Sequence, residues 1–237
     1  MFNYLANPTR FRKIASFILP FLEVICLLSL GYGLYLALLV SPADYQQGDA
    51  VRIMYVHVPS AWLALSSYLL LGICSFFFLI WRHPLAEIAA RSIAPIGTGF
   101  AALTLITGSF WGKPIWGVWW VWDGRLTSML VLFFFFIGYI SLSNAFDRSE
   151  RGARPAAILA LVGCINLPIV KFSVDWWHTL HQPASIMRSG GISIDKAMLW
   201  PLLTLFFSFQ IFFIIIVLTR MLTLLNELKY FKQISRS

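Results

Sequence analysis

Three of the four histidines flank one dense aromatic run: His57 in YVHVPSAW before it, and His178 and His181 in SVDWWHTLHQ after it. The run, WGKPIWGVWWVWD, packs Trp111, Trp116, Trp119, Trp120 and Trp122 into twelve residues and ends on Asp123, with Arg125 just beyond. A neutral imidazole ligates haem iron, so one histidine from each flanking segment could bracket an iron against an aromatic plate that docks a large flat ligand. Spacing leaves His178 and His181 as alternatives, and Asp175 is close enough in sequence to orient a ring. Haem propionates need cations; Arg52, Arg125 and Arg188 could supply bidentate bonds, and Arg125 is the best placed in sequence. His83 reads as a solvated turn residue.

Competing accounts of the run are weaker. Tryptophan gathers at membrane interfaces because its ring is apolar and its N–H is not, which covers scattered residues such as Trp62, Trp81 and Trp200. That account does not predict five in twelve. Trp116, Trp119 and Trp120 could share one face of a helix, but Gly112, Pro114 and Gly117 predict an irregular loop.

The elements that must position these residues are membrane helices. Hydrophobic residues make up 59% of the chain and charged ones 12%, against about 25% charged in a soluble domain. Stretches long enough to cross a bilayer, roughly 20 residues each, fall near 17–40, 54–81, 93–110, 127–146, 156–172 and 198–222. The expected fold is a single all-α polytopic membrane domain of about six spans. Asn166, Pro168 and Lys171 crowd the end of the fifth span, and the third carries Pro95, Gly97, Gly99 and Gly108, so five spans are the alternative. The first stretch follows Arg10, Arg12 and Lys13 but is too long for a cleavable signal, whose apolar part is roughly 7–15 residues; it reads as a retained anchor. Glu23 inside it is an ionisable residue in a span, a functional suspect or a snorkelling carboxylate.

Placing both termini in the cytoplasm puts Arg10, Arg12, Lys13, Arg82, Arg91, Arg148, Arg151, Arg154, Arg220, Lys229, Lys232 and Arg236 inside, twelve of the 18 cations. The positive-inside bias favours that orientation and leaves 41–53, 111–126 and 173–197 as the outer segments, the tryptophan run being the middle one. The net charge of +8 is then mainly a topology signal, suited to anionic lipid and not a sign of nucleic-acid binding. The inner connections RHPLAEIAAR and FDRSERGARP are short and carry no nucleotide-binding glycine loop, so any ATPase activity belongs to a partner. Cys26, Cys74 and Cys164 all fall in spans and behave as small apolar groups. Without C-x-x-C-H, haem would be held non-covalently.

The string WGKPIWGVWWVWDGRLTS resembles the tryptophan-rich WWD signature of the haem-handling membrane proteins of cytochrome c biogenesis. Together with PADYQQG, YVHVPSAW, NLPIVKFSVDWWHTLHQ and the six-span layout, it is similar, over about residues 40–190, to the CcmC family of haem exporter proteins. That resemblance implies a multi-pass protein of the bacterial inner membrane, not itself an enzyme, with the signature loop periplasmic. It implies haem b held between axial ligands His57 and His181, with His178 a neighbour only, against Trp111, Trp116, Trp119, Trp120 and Trp122, with Asp123 ending the plate. The implied role is to present haem to a membrane-anchored chaperone, the E component, within an ABC-type complex containing a small single-span D component, a B membrane subunit and an A ATPase subunit. Larger relatives use further histidines deep in their spans, and this chain has none there.

Three other functions compete. A structural permease subunit without its own haem would tolerate loss of the outer histidines. A haem electron-transfer protein would usually set histidines facing each other inside the helix bundle. An oligosaccharyltransferase, which also uses a Trp-Trp-Asp string, would need a large soluble domain and clustered carboxylates, whereas the ten carboxylates here are dispersed.

Overall fold

The computed structural model describes residues 7–145, 149–181, 186 and 191–234. The helices among these residues are α1 (Pro8–Tyr35, continued by a π-helical stretch Leu36–Val40), α2 (Met54–Trp81, entered through a 3-10 turn Asp49–Ile53), α3 (Pro84–Trp116), α4 (Gly124–Asn144), α5 (Ser149–Gly163), α6 (Asn166–Trp176) and α7 (Lys196–Ile234). They supply six spans long and apolar enough to cross a membrane: Pro8–Val40, Asp49–Trp81, Pro84–Trp116, Gly124–Asn144, Gly152–Trp176 and Lys196–Lys229. The all-α polytopic fold is therefore as expected. α5 and α6 together make the fifth span.

Helix starts and stops follow local chemistry. The Asn7 side chain accepts from the N–H groups of Thr9 and Arg10, with Pro8 opening α1, which satisfies donors that the helix itself leaves unpaired. α3 begins well before residue 93, and the charged stretch expected as a loop is mostly helix. The His83 ring accepts from the Ala86 N–H, Pro84 occupies the first turn and Glu87 follows, so His83 is a cap instead of a solvated turn residue. A charged sequence only says that these turns lie outside hydrocarbon; the cap makes them helical.

At its far end α3 runs through Gly112 and Pro114 to Trp116 and stops at Gly117, whose φ of 76° terminates the helix as glycine commonly does. The loop expected across the whole tryptophan run is thus confined to its second half. A proline near a helix end only removes a donor and need not break the helix when flanking residues are anchored.

The core joins α2, α3, α4 and α5 through Leu63, Tyr68, Leu71, Ala94, Leu132, Phe136 and Ala160, all fully buried. Gly97 lets α4 approach, because a Cβ there would lie 2.4 Å from the Phe136 ring; close backbone approach at small residues is how membrane helices gain van der Waals contact. The Asn166 amide donates to the Ser128 carbonyl at 2.8 Å, tying α6 to α4, so this polar residue holds the fifth span in place. α1 rests mainly on α7 and leaves Phe17, Phe21, Leu27 and Leu28 exposed. Glu23 lies on that exposed side, about 15 Å along the helix from Lys13.

Candidate functional site

The ends of α2 and α3 and the segment after α6 converge at the tryptophan end. The rings of His57 and His181 are 6.5 Å apart between centroids. Trp111 meets His57 edge-on at 5.6 Å, and Trp116 lies 5.3 Å from His181. Two histidines separated by 124 positions thus share one aromatic pocket.

His57, 8% exposed, stands in the first turns of α2 and is seated by α3. Its Nδ1 is 3.0 Å from the Thr107 hydroxyl. That hydroxyl has one proton and donates it to the Leu103 carbonyl at 2.6 Å, so toward the ring it acts as acceptor. It follows that Nδ1 carries the imidazole proton and Nε2 keeps the lone pair a metal needs. Gly108 provides the space: a Cβ there would come within 3.1 Å of the His57 Cε1 atom. A glycine that reads as weakening the third span is the seat of the histidine ring.

His181 is half-buried, and its Nδ1 is buried without a partner. Burial pushes the imidazole down to about 3, with the positive charge of Arg125 and the neighbouring His57 acting in the same direction. Its ring is neutral at any physiological pH. Its backbone N–H donates to the Thr179 hydroxyl at 2.8 Å, a local turn that sets the ring's direction.

Arg125, in the first turn of α4, acts electrostatically on both histidines. Its Nη2 donates to the Lys171 carbonyl at 3.2 Å and its Nε is buried without a partner. Asp123 caps α4 by accepting from the Leu126 N–H at 2.8 Å, while its other oxygen is buried and unpartnered. Gly124 admits Trp177, whose ring would lie 3.0 Å from a Cβ at that position. Among the described residues, seven buried side-chain polar atoms lack a partner, and four belong to Trp120, Asp123, Arg125 and His181. Native structures satisfy nearly all such atoms, so their concentration at one end makes that end the candidate site.

Other expected participants are placed differently. Trp119 is exposed, packs edge-on against Phe110 at 5.7 Å and lies under the Lys113 ammonium. Trp122 is 74% exposed and meets half-buried Trp120 at 5.5 Å. His178 and Asp175 are exposed, and Asp175 acts on Arg125 instead of on a histidine ring. Arg52 is committed to Asp49 and to the Ala37 and Leu38 carbonyls. Arg188 lies outside the described residues.

Sequence reasoning missed Thr107, Gly108 and Gln47. The Gln47 side chain accepts from the Trp111 indole N–H at 2.9 Å. Gln47 is itself aimed by a turn in which Asp44 accepts from the Gln46 and Gln47 N–H groups, closed at Gly48 with φ 56°. The signal available was PADYQQG, an Asx turn with an amide at its tip.

A family model described as Heme exporter protein C matches residues 1–235. Among similar proteins are a Heme exporter protein C of Bradyrhizobium diazoefficiens, 52% identical over 92% of this chain and 82% of its own length, and one of Escherichia coli, 43% identical over 94% and 90%. A putative cytochrome c biosynthesis ccmC-like mitochondrial protein of Marchantia polymorpha is 46% identical over 80% of this chain and 82% of its own length. With a match across nearly its whole length and relatives of this identity, the chain belongs to the heme exporter protein C family.

Proposed function

We propose that this chain receives haem b as a non-covalently held cargo between His57 and His181 and presents it, at the periplasmic face of a bacterial inner membrane, to a membrane-anchored haem chaperone for cytochrome c maturation. The observation that carries this reading is the pair of imidazoles 6.5 Å apart with Trp111 and Trp116 on their flanks. Two metal–nitrogen bonds of about 2 Å together with the two ring radii would span a comparable distance. The names of the relatives, heme exporter protein C, support the choice of haem. The donor set fits as well: one lone pair directed by Thr107, one buried unpartnered imidazole nitrogen, and a guanidinium within electrostatic reach of both rings.

Each residue then has a task. His57 and His181 would offer neutral nitrogens to the iron, and bound haem would supply an iron centre open to a group of the receiving protein. Trp111 and Trp116 exclude water from the histidine pair, while Arg125 neutralises carboxylate charge. Trp119 and Trp122, outside that pocket, offer an apolar face to haem's exposed edge or to the incoming chaperone. Both termini are cytoplasmic on this reading, and the chain acts as a non-enzymatic membrane subunit beside a B subunit, a small D component and an A subunit that hydrolyses ATP.

The test is the absorption spectrum, oxidised and reduced, of the purified protein and of its His57→Ala and His181→Ala variants, with haem quantified by pyridine extraction. A haem spectrum lost or shifted in both variants is expected. A colourless parent from haem-replete cells would favour a structural permease subunit, and variants that keep the parent spectrum would overturn the ligand assignment. Haem that cycles in redox state but never passes to a chaperone would favour electron transfer.

A further inference from the structure

The opposite end of the bundle carries a second feature that haem handling does not use. α3, α4 and α7 border a partly open cavity of about 70 Å³ lined by Arg91, Tyr139, Ser143, Asn144 and Arg220, with Pro95 and Leu224 among its apolar walls. This volume suits a group of a few heavy atoms; drug-sized and larger ligands need hundreds of Å³.

Its polar lining is basic and incompletely satisfied. Arg91 meets Glu87 at 3.9 Å and Asn144 at 3.5 Å, both long for hydrogen bonds to a charged group. Among the described residues Arg220 has no carboxylate within ion-pair distance. Tyr139 is only 2% exposed, and its side chain lines the cavity. Ser143 is already engaged with the Ile140 carbonyl. Two guanidinium groups and a phenol line one cavity, and among the described residues the carboxylate paired with Arg91 is Glu87.

The cavity's depth identifies the ligand. From Arg91 to Trp111 along α3, and from Trp200 to Arg220 along α7, the helices rise about 30 Å, the thickness of a bilayer's hydrocarbon core. With Trp111 and Trp200 at one interface, where tryptophan belongs, the two arginines stand at headgroup level in the other leaflet. Basic pockets between membrane helices at that level bind anionic headgroups. We propose that this cavity holds the phosphate group of an anionic phospholipid, gripped by Arg91 and Arg220 and accepting a hydrogen bond from Tyr139.

The test titrates delipidated full-length protein in detergent with phosphatidylglycerol, with phosphatidylcholine, and with inorganic phosphate against chloride at equal ionic strength. Thermal unfolding and native mass spectrometry read occupancy. Phosphatidylglycerol is expected to raise Tm saturably and to remain bound in the mass spectrum, with phosphatidylcholine ineffective. The double variant Arg91→Gln/Arg220→Gln should lose the effect. Tyr139→Phe, which keeps the packed ring, should weaken it about tenfold, the scale of one hydrogen bond to a charged group. It carries the test alone if the double variant does not fold. An equal response to inorganic phosphate would keep the oxyanion site but reassign it to free phosphate. Equal response to both lipids, or a phosphatidylglycerol effect unchanged in Tyr139→Phe and the double variant, would overturn the proposal. So would binding of a glutamate-rich peptide where lipid and phosphate fail, which would mark the cavity as the seat of a partner's acidic segment.

Discussion

The two halves of the tryptophan run contain the same residue type within a dozen positions and end in different environments. Trp111 and Trp116 sit on the last turns of α3, half-buried, each against one histidine. Trp119 and Trp122 follow the helix-ending Gly117, on non-helical chain, 54% and 74% exposed. Helical backbone delivers a side chain in a fixed direction, whereas the chain beyond Gly117 is set by its own few contacts. The difference teaches that one aromatic motif can provide both the wall of a pocket and an uncovered face beside it.

Four experiments break or sharpen that contrast. The largest effect is expected from Gly108→Val, which drives a branched side chain into the seat of His57 from 3.1 Å. It should abolish the haem spectrum as fully as His57→Ala while helical circular dichroism is retained; an intact spectrum would mean that α3 does not hold the ring. Next comes Thr107→Val, which removes the acceptor for the Nδ1 proton while keeping the shape. Partners of this kind tune metal affinity by about 10–100-fold, so haem Kd should rise within that range.

Smaller still is the direct comparison of the two halves. Trp116→Ala should weaken haem binding by about tenfold, on the scale of a buried aromatic contact. Trp122→Ala should change equilibrium binding little and instead slow transfer to the chaperone. If the two variants lost equal affinity, the division into wall and face would fail.

The smallest expected effect is a pH slope. The His181 imidazole takes up a proton below about 6.5 in the unfolded chain but only near 3 in the folded one. The unfolded state therefore binds more protons through that window, and stability falls as pH falls through it. Thermal unfolding of the haem-free protein should shift to lower temperature between pH 7 and pH 5, with a shallower slope in His181→Gln. A slope unchanged by that substitution would mean that His181 is accessible to protons in the folded state.

Much of the architecture was legible before any fold was seen. Apolar length alone predicts the spans, because a helix must satisfy its backbone inside hydrocarbon and its length must match the bilayer. Helix bounds were less legible: the charged turns of 84–92 look like loop, yet His83 and Pro84 cap them into α3. Pro114 looked like a breaker but lies where one missing donor is tolerated. In the site, residue types point to the histidines and tryptophans and favour Arg125, but Arg52 stays a candidate until the fold commits it to the end of α1.

Composition and periodicity by themselves determined that the chain enters the membrane, about how many times, and which segments carry aromatic and imidazole chemistry; these follow from local transfer free energies and residue inventory. Only the tertiary structure decided which histidine of the 178/181 pair faces His57, that Thr107 sets the His57 tautomer, that Gly108 and Gly97 are seats for rings, and that Arg91, Tyr139 and Arg220 share one cavity. These are contacts between residues tens to more than a hundred positions apart. They depend on how helices cross and on which small residues let them approach, and no local pattern in the sequence encodes that.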